Sequence, residues 1–78
     1  MGEQDLDGHR IEVRLDRVLE AHGMTLVELS EKVGVTVVNL SVLKNGRARA
    51  IRFSTLTALC DALRCTPGEL ITVRPRDD

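Results

Sequence analysis

The residues able to do chemistry gather in the middle third of the chain. From Lys32 to Cys60 there are five cations, Lys32, Lys44, Arg47, Arg49 and Arg52, and no carboxylate. All twelve acids lie outside that window, several of them in the tails as Glu3, Asp5, Asp7, Asp77 and Asp78. The net charge of −1 excludes a uniformly basic nucleic-acid binder. Distribution matters more than the sum, because a local positive island attracts phosphate even on a slightly anionic molecule. The chemistry on offer is therefore anion binding by ammonium and guanidinium groups, not bond making. A solvated charge run is the plainer account of such cations. The missing balancing acid across the whole window favours phosphate contact.

Other reactive side chains form no catalytic set. Cys60 and Cys65 make a C-x4-C pair with no further cysteine, too few ligands for a structural zinc. His9 and His22 could join them only by coincidence, so buried, inert thiols are expected and no metal. The sequence has no G-x-S-x-G, no phosphate-cradling glycine loop and no His-Glu metal motif, and so predicts no enzyme. One Phe, no Trp and no Tyr also weigh against single-stranded nucleic acid, where aromatic stacking supplies much of the affinity.

These groups must be positioned by short elements, since 78 residues allow one small domain. A core of this size yields little net stability, which makes a partner subunit a reasonable expectation. No apolar run approaches the ~20 residues that cross a bilayer, and no charged-then-apolar leader opens the sequence. The expected compartment is the reducing cytoplasm.

Residues 1–9 read as a disordered acidic tail and 76–78 as a second tail, leaving a domain over 10–75. Ile11 to Leu15 alternates apolar and charged residues, as a half-buried strand does, yet Ile11, Leu15, Val18, Leu19 and His22 also fit helical spacing. Ile71 to Arg74 alternates too and stops at Pro75, so a short ribbon pairing the two ends accounts for both segments. A first helix runs from about Asp16 to His22, stopped by Gly23. Thr25 and Glu28 have the spacing of a capping box and start a second, with Leu26, Leu29 and Val33 inward and Gly34 as its end. Thr36 caps a third, with Leu40 and Leu43 inward and Asn45-Gly46 closing it. Ser54 is the expected cap of a fourth, whose buried stripe is Leu56, Leu59, Cys60 and Leu63. Thr66-Pro-Gly-Glu69 opens a last short turn.

Two helices joined around Gly34 must cross steeply, which is a helix-turn-helix unit over 25–46. TLVELSEKVGVTVVNLSVLKNG resembles the phage repressor and Cro (XRE-type) helix-turn-helix family along the whole hairpin. The likeness continues through IRFSTLTALCDALRCTPGEL, and the KNGRARAIRFSTL block is comparable to a subgroup of short single-domain regulators. The resemblance implies an all-α, five-helix repressor-like DNA-binding domain, here with the short two-stranded β ribbon added.

It also implies a function: sequence-specific binding of double-stranded DNA as a transcriptional regulator and homodimer, with residues 36–45 in the major groove. Carried over position by position, the base-reading residues are Val37, Val38, Asn39, Ser41 and Val42. The phosphate contacts are Thr36, Lys44, Asn45, Arg47, Arg49 and Arg52. Family members commonly place Gln, Arg or Ser where this sequence has Val37, Val38 and Val42, while Leu26 replaces a frequent Gln and Ser30 a small Ala. Valine can meet thymine methyls but cannot make the bidentate pairs that discriminate bases, which leaves Asn39 as the best direct reader, of adenine. The same three valines carry the alternative reading, a protein–protein interaction module. No cofactor, small-molecule ligand or membrane is implied.

Overall fold

Seven leucines, Leu15, Leu19, Leu29, Leu40, Leu59, Leu63 and Leu70, form the buried centre of the molecule. Each is held there by helical spacing, and each contributes about 1.5–3 kcal/mol on burial. The computed structural model describes residues 8–76. Its elements are β1 (Ile11–Val13), α1 (Leu15–His22), α2 (Leu26–Val33), α3 (Val37–Lys44), α4 (Phe53–Leu63), α5 (Pro67–Leu70) and β2 (Ile71–Val73). The acidic tail expected over 1–9 lies, as far as residue 7, outside the described residues, as do residues 77 and 78.

The ambiguous stretch after His9 divides its two periodicities. Residues 11–13 form a strand, antiparallel to β2, with Ile11 opposite Val73 and Val13 opposite Ile71. The helix begins only at Leu15, where Leu15 and Leu19 take up the four-residue spacing of a core-facing stripe. Val13 and Ile71 pack against the leucine core, so the ribbon ties both ends of the domain to the helices.

Local chemistry sets the helix boundaries. Thr25 Oγ1 accepts from the Glu28 N–H at 3.1 Å, and Glu28 Oε1 accepts from the Thr25 N–H at 2.8 Å. Two of the unpaired donors at the start of α2 are thereby satisfied. At the other end Gly34 adopts φ +72°, a left-handed conformation that costs glycine little. Before α5, Glu69 Oε1 accepts from the Thr66 N–H at 2.7 Å, and Pro67 occupies the first helical position.

The expected cap of α4 is displaced by two residues. Arg52, not Ser54, is the N-cap, extended at φ −72° and ψ 144°, and its carbonyl accepts from the Leu56 N–H at 2.9 Å. A capping residue must be extended while its carbonyl opens the helical ladder. Phe53 and Ser54 are already helical, so the Ser54 hydroxyl lies too far along to cap. The expected inner stripe stands, with Leu59 and Leu63 buried and Leu56 and Cys60 packed against the core.

Candidate nucleic-acid interface

The hairpin α2–α3 is held by a bond that composition alone does not announce. Ser30 Oγ donates to the Val35 carbonyl at 2.6 Å, from the last turn of α2 across to the connection. Where a small alanine would only permit the helices to approach, serine also pins the connection that aims α3. On the far side Thr36 Oγ1 accepts from the Asn39 N–H at 3.1 Å. The start of α3 is thus fixed from both sides of Gly34.

Leu40, 1% exposed, anchors α3 to the core. At about 100° per residue, Val38 and Val42 fall nearly opposite Leu40, with Asn39 and Ser41 on the two flanks. Exposure follows that wheel only at Val38, which is 71% exposed; Val42 is 38% exposed, no more than Val37 on the Leu40 side, and Asn39 is exposed. Ser41 is half-buried and its hydroxyl accepts from Asn45 Nδ2 at 3.3 Å. Lys44 is also half-buried, on the Leu40 side of the wheel and one turn on. The most outward residue is therefore Val38, an apolar centre flanked by Asn39, Val42 and the Ser41–Asn45 pair.

A Schellman motif ends α3. The Arg47 N–H donates to the Val42 carbonyl at 2.9 Å and the Gly46 N–H to the Leu43 carbonyl at 3.1 Å, with Gly46 at φ +75°. This turn sends the chain into an extended loop in which Arg47, Arg49 and Arg52 are exposed and Ile51 packs inward. An open cleft of about 810 Å³ runs between α3 and that loop, bordered by Asn39, Val42, Arg47, Arg49 and Arg52. The structure thus brings Thr36, Asn39, Val42 and the loop arginines to one cleft, while Lys44 is turned partly away.

One residue beside this surface escapes sequence reasoning. Phe53, the only aromatic of the chain, extends the Leu56–Leu63 stripe by one turn at the start of α4 and is 86% exposed. Periodicity places it on the inner side; only the end of the core beneath it leaves it bare.

The thiols behave as core groups. Cys60 and Cys65 are unbridged and half-buried, and burial, then the neighbouring Cys60, pushes the Cys65 thiol up to about 11. It stays protonated at neutral pH, the opposite of an activated thiolate. Among the described residues no three His, Cys, Asp or Glu side chains could hold a metal ion, and no helix is long and apolar enough to cross a membrane.

Comparison with known proteins agrees with this geometry. Residues 14–76 match the family model described as a Cro/C1-type HTH DNA-binding domain. The chain is 50% identical over 66 residues, 85% of its own length and 79% of the relative's, to a Bacillus subtilis (strain 168) protein called "Uncharacterized HTH-type transcriptional regulator YozG". No solved structure matches the chain significantly. With the match spanning the capped hairpin, the leucine core and β2, the chain belongs to the Cro/C1-type helix-turn-helix DNA-binding family.

Proposed function

We propose that the protein is a cytoplasmic, homodimeric transcriptional regulator that binds double-stranded DNA sequence-specifically, with α3 in the major groove. The observation that carries this reading is the outward face of α3. Val38 and Asn39 are exposed, and that face sits within a stretch of cations that holds no carboxylate. A groove about 12 Å wide accepts one such helix. Arg47, Arg49 and Arg52, with Thr36, Lys44 and Asn45 at the ends of α3, supply phosphate contacts that position the helix. Asn39 reads adenine, Val37, Val38 and Val42 pack on thymine methyls, and Ser41 adds a hydroxyl to the base contacts. The operator is therefore rich in A·T pairs under α3, in two half-sites about 34 Å apart. Neither cofactor nor effector enters the reading.

The test is the salt dependence of binding to a selected operator. Arg47→Ala and Arg49→Ala should each lower the slope of log K against log salt by roughly 1 per protomer. Unchanged slopes would remove the phosphate assignment. A second reading, docking of a protein on the same valines, is favoured by the bare apolar centre of α3. It predicts that Val38→Ala abolishes a protein contact and leaves DNA affinity untouched.

A further inference from the structure

Among the described residues, no strand covers the outer edge of β1, whereas the outer edge of β2 is blunted. The Arg74 N–H donates to the Arg10 carbonyl at 2.8 Å, and the Arg14 N–H to the Leu70 carbonyl at 2.6 Å. Glu12 and Thr72 lie midway between these pairs. Antiparallel parity then turns the backbone groups of residues 10, 12 and 14 toward β2 and those of Ile11 and Val13 away from it. On β2 the outward positions are Ile71, Val73 and Pro75. The Ile71 N–H is taken by the Pro67 carbonyl, and Pro75 has no N–H to offer, a usual way to blunt an edge. On β1 the outward Ile11 N–H donates to His9 Nδ1 at 2.9 Å. A side-chain acceptor stands there in the place of a partner strand's carbonyl.

Side chains tell the same story. Strand alternation puts Ile11, Val13, Ile71 and Val73 on one face. Val13 and Ile71 pack on the core, whereas Ile11 and Val73, directly paired, overhang it at 40% and 59% exposure. The opposite face of β1 carries Arg10, Glu12 and Arg14 in alternating sign.

We propose that β1 is the subunit-joining edge, pairing antiparallel with β1 of a second copy about a two-fold axis through Ile11 to give a four-stranded sheet across the dimer. This rests on the dimeric reading above. The register follows from charge and fold. An axis through Glu12 sets Glu12 against its own copy, and one through Arg10 does the same for arginine, both unfavourable. An axis through Val13 needs Leu15 as a strand residue opposite Ile11, but Leu15 begins α1. Only the axis at Ile11 sets Arg10 opposite Glu12 of the copy, twice by symmetry. It also joins Val73, Ile11 and their copies in one apolar row. His9 yields the Ile11 N–H to the second copy's Ile11 carbonyl, exchanging one acceptor for another.

The experiment is sedimentation equilibrium on the full chain without DNA, followed by native mass spectrometry, with circular dichroism confirming the fold of each variant. Arg10→Glu and Glu12→Arg each place like charges together at both symmetric positions and should raise the dimer Kd by roughly tenfold or more. Mixed one to one, the two variants should reassociate as a heterodimer, because the all-acidic strand of one then faces the all-basic strand of the other. A monomeric parent protein overturns the proposal, as does failure of the mixture to pair. So does a dimer indifferent to both reversals but split by Phe53→Ala or Val38→Ala. Because DNA is absent, a monomer that still binds an operator sinks the pairing alone, whereas an intact dimer that binds no DNA sinks only the DNA reading.

Discussion

Replacing Val38 by alanine separates base reading from folding. Val38 is 71% exposed and lies opposite the buried Leu40, so trimming it removes little native packing. Its effect on stability should stay within about 0.5 kcal/mol. On DNA the two carbons removed would otherwise be buried against thymine. At about 0.8 kcal/mol per buried carbon, the loss is about 1.5 kcal/mol per half-site. Two half-sites make that about 3 kcal/mol, or roughly a hundredfold in Kd. The assay is fluorescence anisotropy on a selected operator, repeated with uracil in place of the thymines under α3. Uracil lacks the 5-methyl group, so the Val38→Ala penalty should shrink on the uracil duplex. A coupling of about 0.5–1 kcal/mol per half-site in the double-mutant cycle is expected. An equal penalty on both duplexes refutes the methyl contact, and a melting temperature that falls with the affinity refutes the claim that Val38 is a surface reader.

Further outcomes follow from the same geometry. Leu40→Ala should cost about 2–5 kcal/mol in urea unfolding, because it empties the core position that holds α3. Glu28 is held below its ordinary value of 4.5, first by the Thr25 backbone N–H and then by the Thr25 hydroxyl. The unfolded chain thus binds the proton more tightly, so this contribution is complete above that value and fades as pH falls through the lower folded one. Thermal melts from pH 6 to 3 should show the loss, and Glu28→Gln should flatten it. Arg64 adopts φ +50° in the left-handed region at the end of α4; Arg64→Gly should raise stability by up to about 1 kcal/mol, read from the denaturation midpoint. Cys65, with its thiol pushed up to about 11, should react with iodoacetamide at pH 8 far more slowly in the native protein than in urea.

Signals confined to a few neighbouring residues could be read from the sequence. The Thr25–Glu28 box, the left-handed stops at Gly23, Gly34 and Gly46 and the leucine spacing depend on one turn of chain, and each is found where expected. The hairpin followed from them. What escaped depends on where the core ends. The α4 cap lies at Arg52 and the helix begins two residues earlier than the Ser54 hydroxyl suggests, and Phe53, one turn before the core-packed Leu56, is left bare. The outward side of α3 was legible as a set of residues but not as a ranking. Only the structure shows Ser41 accepting from Asn45 and Lys44 half-buried, leaving Val38 foremost.

Apart from Val27 and Phe53, the large apolar groups left bare fall on two separate surfaces. Val37, Val38 and Val42 lie on α3, whereas Ile11 and Val73 lie on the terminal ribbon. A chain of this length has little apolar area to spare, and in both places the bare residues adjoin residues packed on the core, Leu40 and Leu43 on α3 and Val13 and Ile71 on the ribbon. On α3 the flanking sequence carries cations and no acid from Lys32 to Cys60, which suits a polyanion. On β1 the flanking charges alternate, which suits a copy of the strand itself in the register about Ile11. On the proposed reading, the charge pattern beside each apolar cluster distinguishes the partner. It follows that reversing Glu12 should impair association without changing which bases are preferred, while altering Val38 should do the converse.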